Sequence, residues 1–460
     1  MLFNSLQFLV FFMVITLSYY KLKSQKSRVN LLLIASCYFY MSFVPKYILI
    51  LGSTIAIDYV AGILISKSSG HARKTWLVTS IVANVGILVF YKYFNFLLGN
   101  IEPLLHHIFP SHPIPYINVI LPIGLSFHTF QAMSYTIEVY RGKQPPERNF
   151  IVYALYVMFY PQLVAGPIER PQNILPQLHE YKVYDWGNVK EGLIRMSWGF
   201  FKKCVIADRL AMEVDFAYSH TGLSSCSLWL AALFYSFQIY CDFSGYCDIG
   251  IGAAKVMGMR LMENFNEPYR SQNISTFWSR WHISLSSWFR DYVYIPLGGN
   301  RLGETRRKLN VMFVFLLSGI WHGANWTFIT WGTLHGMLTT FFPGRKKGVT
   351  GNFSNLVFVC LNFILVTLLW VFFRAQNISQ ALKYICGMFC FRGGQTKFGL
   401  NGIELSLSIL LIIIMLVREA KFPKHFIKSD KAFAAYLTCM ILICYFLGVF
   451  SENHFIYFQF

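Results

Sequence analysis

Long apolar segments, separated by short loops rich in lysine and arginine, constrain this chain more than any other feature. A helix that crosses a bilayer needs about 20 mostly apolar residues, and somewhat fewer where flanking side chains reach the headgroups. Such segments occur near residues 6–20, 29–44, 46–65, 75–98, 117–139, 309–323, 326–342, 354–373, 403–417 and 432–450. With 55% hydrophobic and 13% charged residues, the chain is predicted to be an all-α, multi-pass membrane protein.

The basic residues are distributed as expected for cytoplasmic loops. The chain has 40 Lys and Arg against 21 Asp and Glu, but they do not form one patch, which argues against a nucleic-acid partner. Loops that are predicted to be cytoplasmic because they are basic lie at 21–28, 67–74, 141–148, 301–308, 345–347 and 418–431. Both termini are then predicted on the outer face, after ten or twelve crossings. No pair of cysteines has the spacing of a metal site, and no metal is expected.

Residues 160–300 interrupt this series of spans, because prolines and glycines cluster near its start and charges mix with aromatic residues after it. Non-helical backbone at membrane depth must be covered by protein or line a water-filled cavity. The region is therefore predicted to build a cavity from short, tilted or interfacial helices. Asp242 and Asp248 are interpreted as part of a turn that breaks a helix or, alternatively, as a proton relay. Lys202 and Lys203 are interpreted as cytoplasmic anchors.

Two polar features lie where apolar sequence is expected. In residues 264–301, six apolar side chains recur at helical spacing and predict one amphipathic helix against the membrane interior: Phe277, Trp278, Trp281, Leu285, Trp288 and Phe289. His282 lies on this predicted helix. The apolar stretch 316–336 carries His322 and His335. Ionisable side chains at membrane depth tend to face a cavity or a partner, although a core histidine bonded to a carbonyl remains an alternative for His322.

Five blocks of sequence resemble the membrane-bound O-acyltransferase family, and most closely its bacterial branch that acetylates alginate and peptidoglycan. The blocks are FYPQLVAGPIERPQ (159–172), YCDFSGYCDIGIGAAKVMG (240–258), FWSRWHISLSSWFRDYVYIPLGGNR (277–301), SGIWHGANWTFITWGTLHG (318–336) and FIYFQF (455–460). The resemblance implies a ring of roughly ten to twelve transmembrane helices, with short tilted helices, around a central funnel. It implies one domain over 1–460, with N-terminal helices (1–148), a funnel region (149–342), and C-terminal helices with an external tail (343–460).

The resemblance also implies the chemistry. Members move an acyl group, in this branch usually acetyl, from a cytoplasmic thioester such as acetyl-CoA to a hydroxyl. The implied partners are the lipid bilayer, a polysaccharide acceptor and a secreted or periplasmic SGNH-type O-acetyltransferase, and the implied location is the bacterial cytoplasmic membrane. The family's histidine falls on His322 and its second polar position on His282. No cofactor is expected to stay bound, since acetyl-CoA would be a substrate.

An imidazole suits this reaction because its ordinary pKa of ~6.5 lets it accept a hydroxyl proton near neutral pH. His322 is predicted to be that base, while His282 holds the thioester carbonyl, orients the acceptor, or is merely an interfacial histidine. Gly319 and Gly323 are expected to let a substrate approach the backbone. The predicted donor-binding residues are Trp321, Trp326, Asn325, Arg280 and Arg290. His335 is expected to be structural.

Tyr457, in the tail, has two interpretations: an interfacial anchor, or a phenol that briefly accepts the acyl group before a partner removes it. Two alternatives to acetyl transfer also remain at this stage. One is D-alanyl transfer from a carrier protein to a cell-wall polymer. The other is a transporter or flippase without chemistry, an interpretation that is weakened because no inverted repeat is visible in the sequence.

Overall fold

The computed structural model describes residues 1–108, 116, 121–164, 166–342, 352–391, 394–421, 427, 429–450 and 455–456. All regular elements in these residues are helices, apart from one isolated bridge between Leu223 and Gln395. The all-α class is thereby confirmed. The chain divides into two compact units, of which the first comprises residues 1–189 and 253–261 and the second residues 190–252 and 262–460.

In the described residues of the first unit there are nine complete α-helices. They are α1 (Leu6–Lys21), α2 (Gln25–Met41), α3 (Ile48–Lys67), α4 (Gly70–Leu88), α5 (Phe94–Ile108), α6 (Leu125–Tyr140), α7 (Phe150–Met158), α8 (Tyr160–Leu163) and α9 (Pro171–His179). One buried carboxylate lies between α3 and α4, where Asp58 accepts hydrogen bonds from Ser80 and Asn84. These partners satisfy a carboxyl group that would otherwise be costly to bury.

The second unit holds the remaining helices, although the first residues of α10 and the last of α12 group with the first unit. These helices are α10 (Trp186–Phe200), α11 (Asp208–Ser219), α12 (Ser225–Val256), α13 (Ile274–Trp278), α14 (Ile283–Phe289), α15 (Glu304–His322), α16 (Trp326–Phe341), α17 (Asn352–Arg374), α18 (Ile378–Phe389), α19 (Gly402–Lys421) and α20 (Asp430–Leu447). A seven-residue π-helical segment, Phe201–Ala207, joins α10 to α11.

Four helical segments within the described residues are long and apolar enough to cross a membrane. They are Pro45–Lys67, which contains α3; Gly70–Glu102, which contains α4 and part of α5; Ser354–Arg374, which lies in α17; and Asp430–Leu447, which is α20. Their outward faces carry large apolar side chains, such as Leu361 and Tyr445, which are 57% and 70% exposed. Apolar faces of this size suit contact with lipid. The other predicted spans also coincide with helices, except that 117–139 begins with residues outside the described part and with the non-helical residues 121–124. The number of crossings stays a prediction.

The expectation of short helices in 160–300 is confirmed for α8, α9, α13 and α14 but not for the middle of the region. Residues 186–219 form one helical run, and α12 extends over 32 residues. The charged residues that suggested breaks in the helices are instead paired inside the protein. Glycines bring the two long helices into backbone contact, because a Cβ at Gly199 would lie 2.6 Å from the carbonyl oxygen of Gly245.

The single amphipathic helix predicted across 277–289 is also wrong. The chain forms two short helices, α13 and α14, separated at His282, whose backbone is left-handed with φ 46°. The six apolar side chains that gave the helical period are all buried, so they pack inside the protein rather than against lipid. The period was correct within each helix but did not reveal the turn between them.

Close packing of α15 against α16 explains the glycines near His322. A Cβ at Gly319 would lie 2.4 Å from the carbonyl oxygen of Phe328, and a Cβ at Gly323 would lie 2.2 Å from the Phe328 ring. At Gly319 the backbone excludes a side chain, and at Gly323 the Phe328 ring would have to move to admit one. The expectation that Gly319 and Gly323 leave room for a substrate is therefore wrong, because Phe328 already occupies that space.

Candidate functional site

His322 ends α15 inside an aromatic enclosure in the second unit. Its ring centroid lies 5.0 Å from that of Trp321, 5.1 Å from Trp331 and 5.3 Å from Phe373. The ring of His282 lies 6.5 Å away, and both histidines are buried. The structure thus brings together the two histidines that the sequence singled out, with Trp321 beside them, in surroundings from which bulk water is largely excluded.

His282 is held by a short polar network centred on Asn264. The Oδ1 atom of Asn264 lies 3.1 Å from Nδ1 of His282, and it accepts hydrogen bonds from the backbone N–H and the hydroxyl of Ser284. The carbonyl of Asn264 also accepts the backbone N–H of Ile283 at 2.9 Å. Left-handed backbone is uncommon for residues other than glycine and clusters at functional sites. Here the hydrogen bonds of Asn264 hold the left-handed backbone of His282 in place.

The network determines which nitrogen of His282 carries the proton. The backbone N–H of Ser284 can only donate, so the Asn264 atom it meets must be the oxygen. That oxygen can only accept, and Nδ1 of His282 must therefore donate to it. Burial lowers the pKa of His282 to about 3, so the ring is neutral at neutral pH. The remaining nitrogen, Nε2, then carries a lone pair and can accept a hydrogen bond.

The variant Asn264→Ala is expected to lower turnover by roughly 10²-fold with little change in KM, because a ring that can rotate or change tautomer misplaces its reactive nitrogen. Steady-state kinetics with a thioester donor would separate kcat from KM. The matched control is Asn310→Ala, since Asn310 is equally buried and donates to the carbonyls of Leu297 and Gly299. An equal loss of turnover in both variants would contradict the positioning role.

The other predicted donor-binding residues lie at the protein surface or have structural contacts. Trp326 is 52% exposed, whereas a wall of a buried passage would be covered. Asn325 accepts the N–H of Thr327 at the start of α16 and donates to the carbonyl of Gln376. Arg290 is exposed and pairs with Asp291, and Arg280 is half-buried. Their roles in donor binding stay predictions.

The two remaining predicted residues are His335 and Tyr457. His335 is fully buried, and its Nδ1 accepts a hydrogen bond of 3.2 Å from the indole N–H of Trp278. This contact suits the structural role expected for it. Tyr457 lies outside the described residues, although the two residues before it, Phe455 and Ile456, are described and buried.

A network of buried charges, which the sequence did not reveal, lies between the helical run 186–219 and α12. Lys203 pairs with Asp208 at 2.7 Å and with Asp242 at 2.8 Å. Lys202 pairs with Asp248 at 2.5 Å. The interpretation of the two lysines as cytoplasmic anchors is therefore wrong, and so is the predicted turn at Asp242 and Asp248, which lie within a continuous helix. The sequence shows two adjacent lysines and acidic residues within an apolar segment. It does not show that these side chains pair with one another.

A cavity of about 320 Å³ lies next to this network. Its polar lining includes Arg195, Lys202, Asp248, Glu263, Asn264, Arg418 and Glu419. Because Asn264, which lines the cavity, also bonds to His282, the cavity extends to the residue that holds His282 in place. Arg195 bridges Asp248 and Glu263, and Arg418 stacks 3.6 Å from the centroid of Trp198. A concave site with a few fixed charges is typical of small-molecule binding.

The fold and the site together describe an all-helical, multi-pass membrane protein with two buried, neighbouring imidazoles. Comparisons with known proteins define it further, because residues 75–378 match the model of the membrane-bound O-acyltransferase family. The chain is 37% identical over 450 residues to the probable alginate O-acetylase of Pseudomonas aeruginosa, covering 94% of this chain and 86% of that protein. The chain belongs to the membrane-bound O-acyltransferase family and is an acyltransferase.

Two further relatives differ in the group that their names specify. The peptidoglycan O-acetyltransferase of Helicobacter pylori is 37% identical over 405 residues, which cover 81% of this chain and 76% of that protein. The teichoic acid D-alanyltransferase of Bacillus subtilis is 30% identical over 268 residues, which cover 54% of this chain and 65% of that protein. The similarity to acetyl-transferring relatives therefore extends over more of the chain.

Proposed function

We propose that this protein transfers acetyl groups from cytoplasmic acetyl-CoA across the bacterial cytoplasmic membrane, for O-acetylation of an exported polysaccharide of the alginate or peptidoglycan type. One observation carries this proposal: His322 and His282 lie 6.5 Å apart, buried among aromatic rings. A hydroxyl and a thioester can be activated there while water, which would hydrolyse the donor, is kept out. The names of the alginate and peptidoglycan relatives support acetyl as the group.

The reaction needs one base and no redox partner. The acceptor oxygen attacks the thioester carbonyl, the new C–O bond forms, and the C–S bond breaks. His322 takes the hydroxyl proton and returns it to the departing thiolate, so that the enzyme ends in its starting state. His322 is proposed for this role because it lies at the end of α15, where its ring faces that of His282.

His282 is proposed to orient the acceptor rather than to hold the thioester carbonyl. A carbonyl oxygen needs a hydrogen-bond donor, and the donating Nδ1 of His282 is already engaged with Asn264. Its Nε2 carries a lone pair, which can receive a hydroxyl hydrogen. Of the two functional roles that the sequence left open for His282, the hydrogen bonding favours orientation of the acceptor.

The cavity beside Asn264 is proposed as the approach of the donor. Arg418 and Glu419, which line it, lie in the last turn of α19 and are the first residues of the basic segment 418–431, whose charge predicts a cytoplasmic position. Of the cavity's three basic side chains, Arg195 and Lys202 are paired with carboxylates of the lining, so Arg418 is the one proposed to attract the negative charges of acetyl-CoA. The volume, about 320 Å³, lies at the lower end of the range for small-molecule sites and suits the thioester arm rather than the whole donor.

Purified protein in proteoliposomes, supplied with acetyl-CoA that is labelled in the acetyl group, tests this function. We expect His322-dependent consumption of acetyl-CoA. A D-alanyl carrier protein serves as the competing donor, since one relative is named a D-alanyltransferase. Consumption of the D-alanyl donor alone would overturn the assignment of acetyl. Movement of an unchanged lipid-linked substrate, with neither donor consumed, would favour a flippase.

The variant Tyr457→Phe is expected to abolish acetylation of polysaccharide in cells while the protein still folds and consumes donor, if the Tyr457 phenol is the first acceptor of the acetyl group. Ester content of the isolated polysaccharide measures the effect. The matched control is Tyr445→Phe, since Tyr445 is 70% exposed on α20 and suits an interfacial anchor. Unchanged ester content in Tyr457→Phe would mean that Tyr457 is only an anchor, and His322 would keep its role.

A further inference from the structure

The chain after α20 returns to the helices that carry the buried charges. Arg209 donates from Nη2 to the carbonyl of Leu447 at 2.8 Å. Two residues later, the backbone N–H of Val449 donates to the carbonyl of Cys204 at 2.9 Å. Cys204 lies in the π-helical segment, and π-helical turns are frequent at functional sites. The start of the C-terminal segment is therefore tied to the run that carries Lys203.

Farther along, the same segment makes a charge-assisted contact with α12. The backbone N–H of Ile456 donates to Oδ2 of Asp242 at 2.7 Å. The other oxygen of that carboxylate pairs with Lys203 at 2.8 Å. Asp242 thus accepts from the tail with one oxygen while the other is in an ion pair, and charge-assisted hydrogen bonds are roughly twice as strong as neutral ones. Both Ile456 and Asp242 are buried, so water competes little for this bond.

Aromatic contacts extend from the tail to the histidine pair. The ring of Phe455, which is fully buried, lies 4.4 Å from that of Tyr246 and 5.9 Å from that of Phe243, measured between centroids. Phe243 in turn packs edge-on against His282 at 4.7 Å. The tail is therefore separated from His282 by a single aromatic ring.

We propose that Asp242, Phe243 and Tyr246 form a seat for the C-terminal tail, and that Asp242 is a positioning residue that holds residues 455–456 beside His282. The seat takes a short peptide segment, recognised by one backbone N–H and one aromatic side chain. This inference rests on the proposed function in one respect: a seated tail serves acyl transfer only if the residues that follow Ile456 receive the acyl group. The seat itself can be tested without any transfer.

Carboxypeptidase digestion of the full-length protein in micelles, followed by intact-mass measurement, tests the seat. In the wild-type protein, trimming is expected to stall as it reaches Ile456. In Asp242→Ala, trimming past Phe455 is expected to be roughly tenfold faster, since a buried hydrogen bond to a charged group is lost. The matched control is Asp208→Ala, which removes the other carboxylate of Lys203 but contacts no described residue of the tail. It should resemble the wild type.

Equal trimming rates in the wild type and in Asp242→Ala would overturn the seat. If Asp242→Ala does not fold, Phe455→Ala is the test variant, since it removes the ring contacts without disturbing the buried charges. Phe455→Ala should also be trimmed faster than the wild type. Protection of Phe455→Ala equal to that of the wild type would overturn the seat. For the link to transfer, the ratio of polysaccharide acetylated to donor consumed should fall in Phe455→Ala, and an unchanged ratio would contradict the positioning role. If the wild-type protein does not consume acetyl-CoA, the proposed function is refuted. The difference in trimming rate between the wild type and Asp242→Ala would remain.

Discussion

Replacing His322 with alanine is expected to lower acetyl transfer by roughly 10²- to 10⁴-fold, the usual contribution of a positioned general base. The physical reason is that neither neighbouring imidazole replaces it, because His282 is fixed by Asn264 and Nδ1 of His335 already accepts the indole N–H of Trp278. Consumption of labelled acetyl-CoA by purified protein measures the loss. Binding of the donor should change little, since the proton is transferred only during reaction.

The control for this variant is His335→Gln. His335 lies in the same aromatic cluster, 4.9 Å from Trp331, which also contacts His322, and it is equally buried. The change should reduce stability, because the ring contact with Trp331 is lost and the hydrogen bond from Trp278 must be remade to an amide, yet turnover by the folded protein should persist. Wild-type turnover in His322→Ala, or an equal loss in both variants, would remove His322 from the role of base.

The sequence predicted the parts of this protein that depend on local pattern. Apolar segments of sufficient length became helices, as in α3 and α17, because a helix satisfies its backbone hydrogen bonds within the segment itself. His322 was recognised for a similar reason: the neighbours that form its motif lie within the same short stretch. In these cases the residues that determine the structure are adjacent along the chain.

The support of His282 was not predictable in this way. Asn264 lies 18 residues before it, and nothing in the period of the apolar residues shows that the chain turns back at His282. The same limit applies to the buried charges, where Arg195 and Asp248 are 53 positions apart. A lysine in a sequence is most often solvated, so the positive-inside rule was the better guess for Lys203 until its partners were known.

Replacing Lys203 with methionine is expected to lower the free energy of unfolding by about 3–5 kcal/mol. Methionine keeps most of the side-chain volume, so the loss comes from the charge. It leaves the carboxylates of Asp208 and Asp242, each paired with Lys203 in the wild type, buried without their common cation. Unfolding in micelles, followed by circular dichroism during denaturant titration, measures the change.

Two comparisons show whether burial of charge is the cause. Lys190→Met removes an ion pair with Asp430, whose carboxylate is 70% exposed, and should cost about 0–1 kcal/mol because water and salt screen that pair. The triple variant Lys203→Met, Asp208→Asn, Asp242→Asn should regain most of the lost stability, since no unpaired charge stays buried. A loss in Lys203→Met no larger than in Lys190→Met would show that these carboxylates do not need the lysine, and that water or protons already neutralise them.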